Sequence, residues 1–202
     1  MKRVVDVVLA ALLLLLVSPL ALLIALLIRL DSPGPLFTQS HRVGRNGRMV
    51  KVWEFRTANA DPDAMETVGG CQGEEITRIG AILRRHGIAR WPLLLAVLRG
   101  DLSLVGPRAE LPRYVGCYPT DMRKLVLSVK PGLVDLASIE FRDERFLLAG
   151  LEGDALEEAY VDKVLPVRLA YAKQYIEGRG FLTDGRILLL AAIAPLFPRR
   201  AG

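Results

Sequence analysis

With two cysteines and two histidines among 202 residues, the chain has little material for several common chemistries. Cys71 and Cys117 provide neither a disulfide framework nor Cys-x-x-Cys metal spacing, which fits a reducing compartment. His41 and His86 have no partner at metal-ligand or triad spacing and read as surface residues. No zinc-finger, RRM or helix-turn-helix signature is present, so nucleic acid is not an expected partner. Internal repeats are absent, and no low-complexity tract occurs beyond the first helix. Acidic residues are outnumbered 22 to 27, and the net charge of +5 favours anionic partners. Beside an apolar segment, those are lipid head groups or phosphorylated substrates.

Charge is missing altogether from Val7 to Ile28, where Ser18 and Pro19 are the only non-aliphatic residues. A helix needs roughly 20 apolar residues to cross the hydrocarbon core, and this run is long enough. It exceeds the typical 7–15-residue apolar stretch of a signal peptide, and Arg29-Leu30-Asp31 is a poor cleavage site. Lys2 and Arg3 precede the run, and Arg29, Arg42, Arg45, Arg48 and Lys51 follow it. The basic-flank rule therefore draws both ends to the cytoplasmic side. A straight anchor breaks that rule at one end. Pro19 removes a backbone donor and Ser18 can satisfy a freed carbonyl, so a re-entrant helix bent at Ser18-Pro19 meets both facts. Residues 1–30 are read as this re-entrant membrane helix and 31–202 as one cytoplasmic domain at the membrane surface.

The turn cluster Asp31-Ser32-Pro33-Gly34-Pro35 should end the helix. Strand-like Leu36–Thr38 and Met49–Phe55 flank Asn46-Gly47, a type I′ hairpin signal. Residues 58–75 are aperiodic and Gly-rich, the pattern of a mobile loop. Ile76, Ile79, Ile82 and Leu83 give the spacing of an amphipathic helix, and Trp91-Pro92 opens a second helix that Gly100 stops. Pro107, Pro112 and Pro119 punctuate short elements. A helical pattern over 157–179 is kinked or divided by Pro166, and the apolar run 187–197 is too short to cross a bilayer, so it lies on the membrane or in the core. The fold class is α/β, mostly helical with a small β-ribbon: a monotopic membrane protein with interfacial amphipathic helices.

Four ordered blocks decide the chemistry: Phe55-Arg56-Thr57, Thr77–Arg85, Leu98–Arg108 with Gly100-Asp101 and Gly106-Pro107-Arg108, and Ser128–Gly132. Behind an N-terminal apolar helix with a Ser-Pro pair, they resemble the bacterial sugar transferases known as small monotopic phosphoglycosyl transferases, over nearly the whole chain. The resemblance implies a globular domain at the inner leaflet of the bacterial cytoplasmic membrane. It also implies Mg²⁺-dependent transfer of a sugar phosphate from a nucleotide sugar to a polyprenyl phosphate, in a glycoconjugate pathway. In that family an Asp-Glu pair carries the reaction, the aspartate as covalent nucleophile and the glutamate at the metal.

Pro92 and Arg84-Arg85 pin the register, so Ala89 and Arg90 occupy the places of that pair. A methyl group cannot attack phosphorus, and a guanidinium repels Mg²⁺. Glu54 replaces a usual lysine, Ala58 a methionine and Ala109 a proline, and five separated departures suggest a site released from its original selection. The expectation is a pseudoenzyme with no catalytic residue, no metal site and no cofactor, Mg²⁺ being required only if the chain is active. Arg84, Arg90 and Arg108 are the expected phosphate-binding residues, and Asp101 is read as turn chemistry. Expected partners are membrane lipid, polyprenyl phosphate or nucleotide sugar, and an active homologue or a second copy. The alternatives are an active polyprenyl-phosphate sugar-1-phosphate transferase with a displaced carboxylate (Glu74, Glu75, Asp61 or Asp63) and a membrane-surface scaffold.

Overall fold

A computed structural model describes residues 1–59, 66–67, 70–71, 75–141 and 147–193. The apolar run forms helix α1, Lys2–Asp31, which stays helical through Pro19. At 1.5 Å per residue it is roughly 45 Å long. Among the described residues it is the one helix long and apolar enough to cross a membrane. The Ser18 hydroxyl donates to the Leu15 carbonyl at 2.9 Å, a local acceptor of the kind a helix proline makes available.

One stripe of α1 packs against the rest of the chain. Ala10, Ile24 and Ile28 are buried, and Leu14, Val17 and Ala21 are packed against the same clusters. Steps of four and three keep these six on one helix face. The other faces leave Leu12, Leu15, Leu16, Leu22, Leu23 and Leu26 exposed, a display that water penalises and a lipid phase does not.

Strands β1 (Phe37–Val43) and β2 (Met49–Phe55) pair antiparallel, with Phe37 opposite Phe55 and Val43 opposite Met49. The hairpin closes as Asn46-Gly47 predicts: both residues have positive φ, 57° and 75°, and Arg48 N–H bonds the Arg45 carbonyl. The mobile loop expected over 58–75 is corrected where residues are described. Strands β3 (Ala58–Asn59) and β6 (Glu75–Ile76) pair, as do β4 (Glu66–Thr67) and β5 (Gly70–Cys71). Two-residue strands are too short to leave an alternating pattern. Asp61, Asp63 and Glu74 lie outside the described residues.

Helix α2 (Arg78–Arg85) starts at Thr77, whose hydroxyl caps the Gly80 N–H at 3.0 Å. It lies so close to the chain after β2 that a Cβ on Gly80 would stand 1.8 Å from the Thr57 carbonyl oxygen. Helix α3 (Leu93–Arg99) ends at Gly100, with φ 94°. Strands β7 (Ser103–Val105) and β8 (Gly132–Val134) form a parallel pair that an Arg108–Gly132 bridge extends. Contact is tightest at Gly132, where an added Cβ would meet the Gly106 nitrogen at 2.1 Å. Between them run α4 (Pro112–Gly116) and α5 (Thr120–Leu127), punctuated by the prolines as expected.

The C-terminal part holds α6 (Leu136–Glu140), α7 (Gly153–Ala159), α8 (Leu165–Glu177) and α9 (Phe181–Ile193). A π-helical turn at Tyr160–Val164 joins α7 to α8 without a break, and Pro166 sits in the first turn of α8, so the helix is irregular just before the proline rather than divided there. Helix α9 buries Ile187 and exposes Phe181, Leu182 and Leu189. The main core gathers α1, α3, β7, α4 and α8 around Val97, Leu102, Leu104, Tyr114, Tyr160 and Val164. A smaller cluster joins Ile24 and Ile28 of α1 to Phe55, Leu83 and Ala89.

Candidate functional site

Ala89 and Arg90 lie on a 3-10 turn, Ile88–Arg90, which the left-handed Gly87 starts. Their side chains have opposite surroundings. Ala89 is buried among Ile24, Ile28, Phe55 and Leu83, so its methyl is a packing element beneath α1. Arg90 Nε lies 3.5 Å from Glu54 Oε1 on β2, and both side chains are about one-third exposed, at 36% and 35%. Two of the five departures are therefore not separate, since Glu54 and Arg90 are an ion pair.

Arg108 follows Gly106-Pro107 at the end of the parallel pair. Its Nε is 3.7 Å from the buried Glu110 carboxylate, which also accepts from the Tyr160 hydroxyl at 2.9 Å. Asp135 is buried at the start of α6, where it accepts from Ser138 N–H at 2.9 Å and pairs with buried Arg168 at 3.6 Å. These groups share one field. Burial, and then the neighbouring Arg108 guanidinium, lowers the pKa of Arg90, against the pull of Glu54 and Asp135. Burial and Arg168 work against the charge on Arg108 too, but Glu110 and Asp135 help to outweigh them, and its pKa is raised.

Among the described residues, four guanidinium groups, Arg42, Arg90, Arg108 and Arg168, share this field with three carboxylates, Glu54, Glu110 and Asp135. The three ion pairs, at 3.5–3.7 Å, are longer than the roughly 2.7–2.9 Å of a charge-assisted hydrogen bond. Arg90 and Arg108, whose described carboxylate contacts are this long, can turn their donors to an incoming anion. A cavity of ≈ 20 Å³ lies among Arg108, Glu110, Asp135, Arg168, Tyr171 and Tyr175. That holds about one water molecule, so a phosphate must part the ion pairs to enter.

Arg84 points elsewhere, its Nε donating to the Thr57 hydroxyl at 2.8 Å. Of the three expected phosphate ligands, Arg90 and Arg108 come together and Arg84 lies beside Thr57. Asp101 is exposed, and its backbone N–H closes the end of α3 on the Ala96 carbonyl. Positions 89 and 90 present a methyl and a guanidinium, no oxygen donor for a divalent cation, and the adjacent Glu54 is engaged by Arg90. These residues do not fit Mg²⁺.

Sequence reading missed Glu110, Asp135 and Arg168. Glu110 could have been found from its place two residues after Arg108, and Asp135 from the Asp-x-x-Ser helix-start pattern. Arg168 lies in a helical stretch without a signal.

A family model described as bacterial sugar transferase matches residues 1–197. The chain belongs to the bacterial sugar transferase family. A UDP-glucose:undecaprenyl-phosphate glucose-1-phosphate transferase of Caulobacter vibrioides is 40% identical over 150 residues, 68% of this chain and 53% of that protein. Proteins of the same name from Escherichia coli strain K12 and Klebsiella pneumoniae are 36% and 30% identical, over 75% and 94% of this chain. The chain covers 34% and 38% of those two, so it spans about half or less of all three relatives.

The Glu54–Arg90 pair makes a direct prediction for this family member. Glu54→Lys and Arg90→Glu each put like charges together, whereas the double variant restores an inverted pair. Denaturation of the four proteins should give a coupling energy of about 0.5–1 kcal/mol, the upper range for a partly exposed pair. Additive effects would mean that the two side chains do not interact.

Proposed function

We propose that this bacterial sugar transferase homologue binds a phosphorylated ligand, a polyprenyl phosphate or a nucleotide sugar, in a glycoconjugate pathway without carrying out covalent phosphosugar transfer. The observation that carries the reading is the pairing of Arg90 with Glu54 beside Arg108, where the family resemblance puts carboxylates and a metal. Ala89 supports it, because its methyl is buried in an apolar cluster. Binding is proposed to be metal-independent, with Arg90 and Arg108 as ligands and Arg84 on the flank. Titrating the full chain with farnesyl phosphate in chelator tests it, and absence of binding would favour a membrane-surface scaffold.

A second reading, an active transferase with a displaced carboxylate, has Asp135 and Glu54 in its favour. Both stand in the arginine cluster, but Asp135 caps α6 and pairs with Arg168, and Glu54 is taken by Arg90. Asp135→Asn separates the two readings: it abolishes any nucleoside monophosphate release in an active enzyme and has nothing to abolish in a pseudoenzyme.

The proposed location is the inner membrane with residues 31–202 on the cytoplasmic face and α1 re-entrant at Ser18-Pro19. Support comes from both ends of α1, which are bonded to the same globular part. Lys2, Arg3 and Asp6 reach β7 and the end of α3, while Arg56 holds the Ser32 and Pro33 carbonyls and Asp31 accepts from Ile79 N–H. Because one globular part holds both ends, the re-entrant reading keeps them on the same face of the bilayer, whereas a crossing helix would put them on opposite faces. A cysteine introduced at position 2 should resist an impermeant thiol reagent applied from the periplasmic face, and modification there would favour the straight anchor.

A further inference from the structure

We infer that Lys2, in the first turn of the apolar helix, is a positioning residue for the Arg108 turn. Its ammonium donates to the Val105 carbonyl at 3.1 Å, the Tyr175 hydroxyl at 2.9 Å and Asp184 Oδ2 at 2.5 Å. Tyr175 in turn donates to the same Val105 carbonyl at 3.0 Å, or to Asp184 Oδ1 at 2.8 Å. Val105 immediately precedes Gly106-Pro107-Arg108, and Tyr175 and Arg108 line one cavity. One turn along α1, Asp6 accepts from the Ser103 hydroxyl at 2.7 Å and from Leu104 N–H at 3.4 Å.

Residues 2 and 6 share a helix face. Between them they hold three successive residues of β7, whose partner strand β8 is only three residues long. So short a parallel pair does not fix its own position, and the bonds from α1 supply what a third strand would. Asp184 of α9 joins the same node, so two apolar helices meet the binding turn through one ammonium. The site is complete when α1 is docked, and Lys2 transmits that docking to Arg108 through the Val105 carbonyl.

The ligand part of this inference rests on the phosphate-binding reading, and the backbone part does not. The test uses the full chain in nanodiscs, with Lys2→Met, Lys2→Arg and Arg108→Ala. In ligand-free protein, hydrogen exchange of the amides of 104–106 and 108 should rise about tenfold in Lys2→Met and less in Lys2→Arg, which keeps the cation. Affinity for farnesyl phosphate should fall about tenfold in Lys2→Met, and Lys2→Met should weaken Arg108→Ala no further, because both changes act on one contact. Unchanged exchange overturns the inference, and so do losses that multiply in the double variant. Raised exchange in a protein that binds no farnesyl phosphate removes the ligand reading and leaves the hold of Lys2 on the turn standing.

Discussion

Incubated with UDP-sugars, Mg²⁺ and polyprenyl phosphate, the purified chain should release no nucleoside monophosphate above background, and its intact mass should show no phosphosugar adduct. The effect is a loss of the route itself. Covalent catalysis needs an atom that attacks phosphorus, and the Ala89 methyl has none. Grafting the pair back with Ala89→Asp and Arg90→Glu should not restore turnover. An aspartate at 89 would put a carboxylate against Ile24, Ile28, Phe55 and Leu83, and burying an unpaired charge costs several kcal/mol or keeps it protonated. Glutamate at 90 would face Glu54 across the space the ion pair now fills. Both substitutions should lower Tm, and turnover by the double variant would show that the surroundings had stayed competent.

Arg108→Ala should weaken farnesyl phosphate binding by about 1.5–3 kcal/mol, the scale of a hydrogen bond to a charged group, or roughly ten- to a hundred-fold in Kd. Arg108 is the pivot of the cluster because it feels four of its other members: Arg90 and Asp135 on one side, Glu110 and Arg168 on the other. Its removal also strands the buried Glu110, which keeps only the Tyr160 hydroxyl among its bonds described above, so some stability is lost with the affinity. Arg108→Lys separates the effects. It keeps the charge for Glu110 but not the fork that grips two phosphate oxygens, and should recover stability more than binding. Affinity should fall as salt rises, since the attraction is between charges near the surface.

The elements with strong local signals were legible in the sequence: the apolar helix, the Asn46-Gly47 hairpin, the Gly100 stop and the helix irregularity next to Pro166. Each depends on nearest neighbours in the chain. What was not legible depends on distant ones. The parallel β7–β8 pair has three residues per strand, too few for periodicity, and joins segments about thirty residues apart. Ala89 and Arg90 were identifiable as replacements by register alone, but only the structure shows that one is packing and the other half of an ion pair with Glu54. Lys2 read as a basic flank, and its bonds to Val105, Tyr175 and Asp184 span up to 182 positions.

The most direct measurement of the central claim is calorimetric titration of the full chain with farnesyl phosphate, once in EDTA and once in Mg²⁺. If Arg90 and Arg108 do the work of carboxylates and cation, the two titrations give the same Kd. Binding that appears only with Mg²⁺ would contradict the account, because it would require an oxygen-lined metal site where the chain presents Ala89 and Arg90.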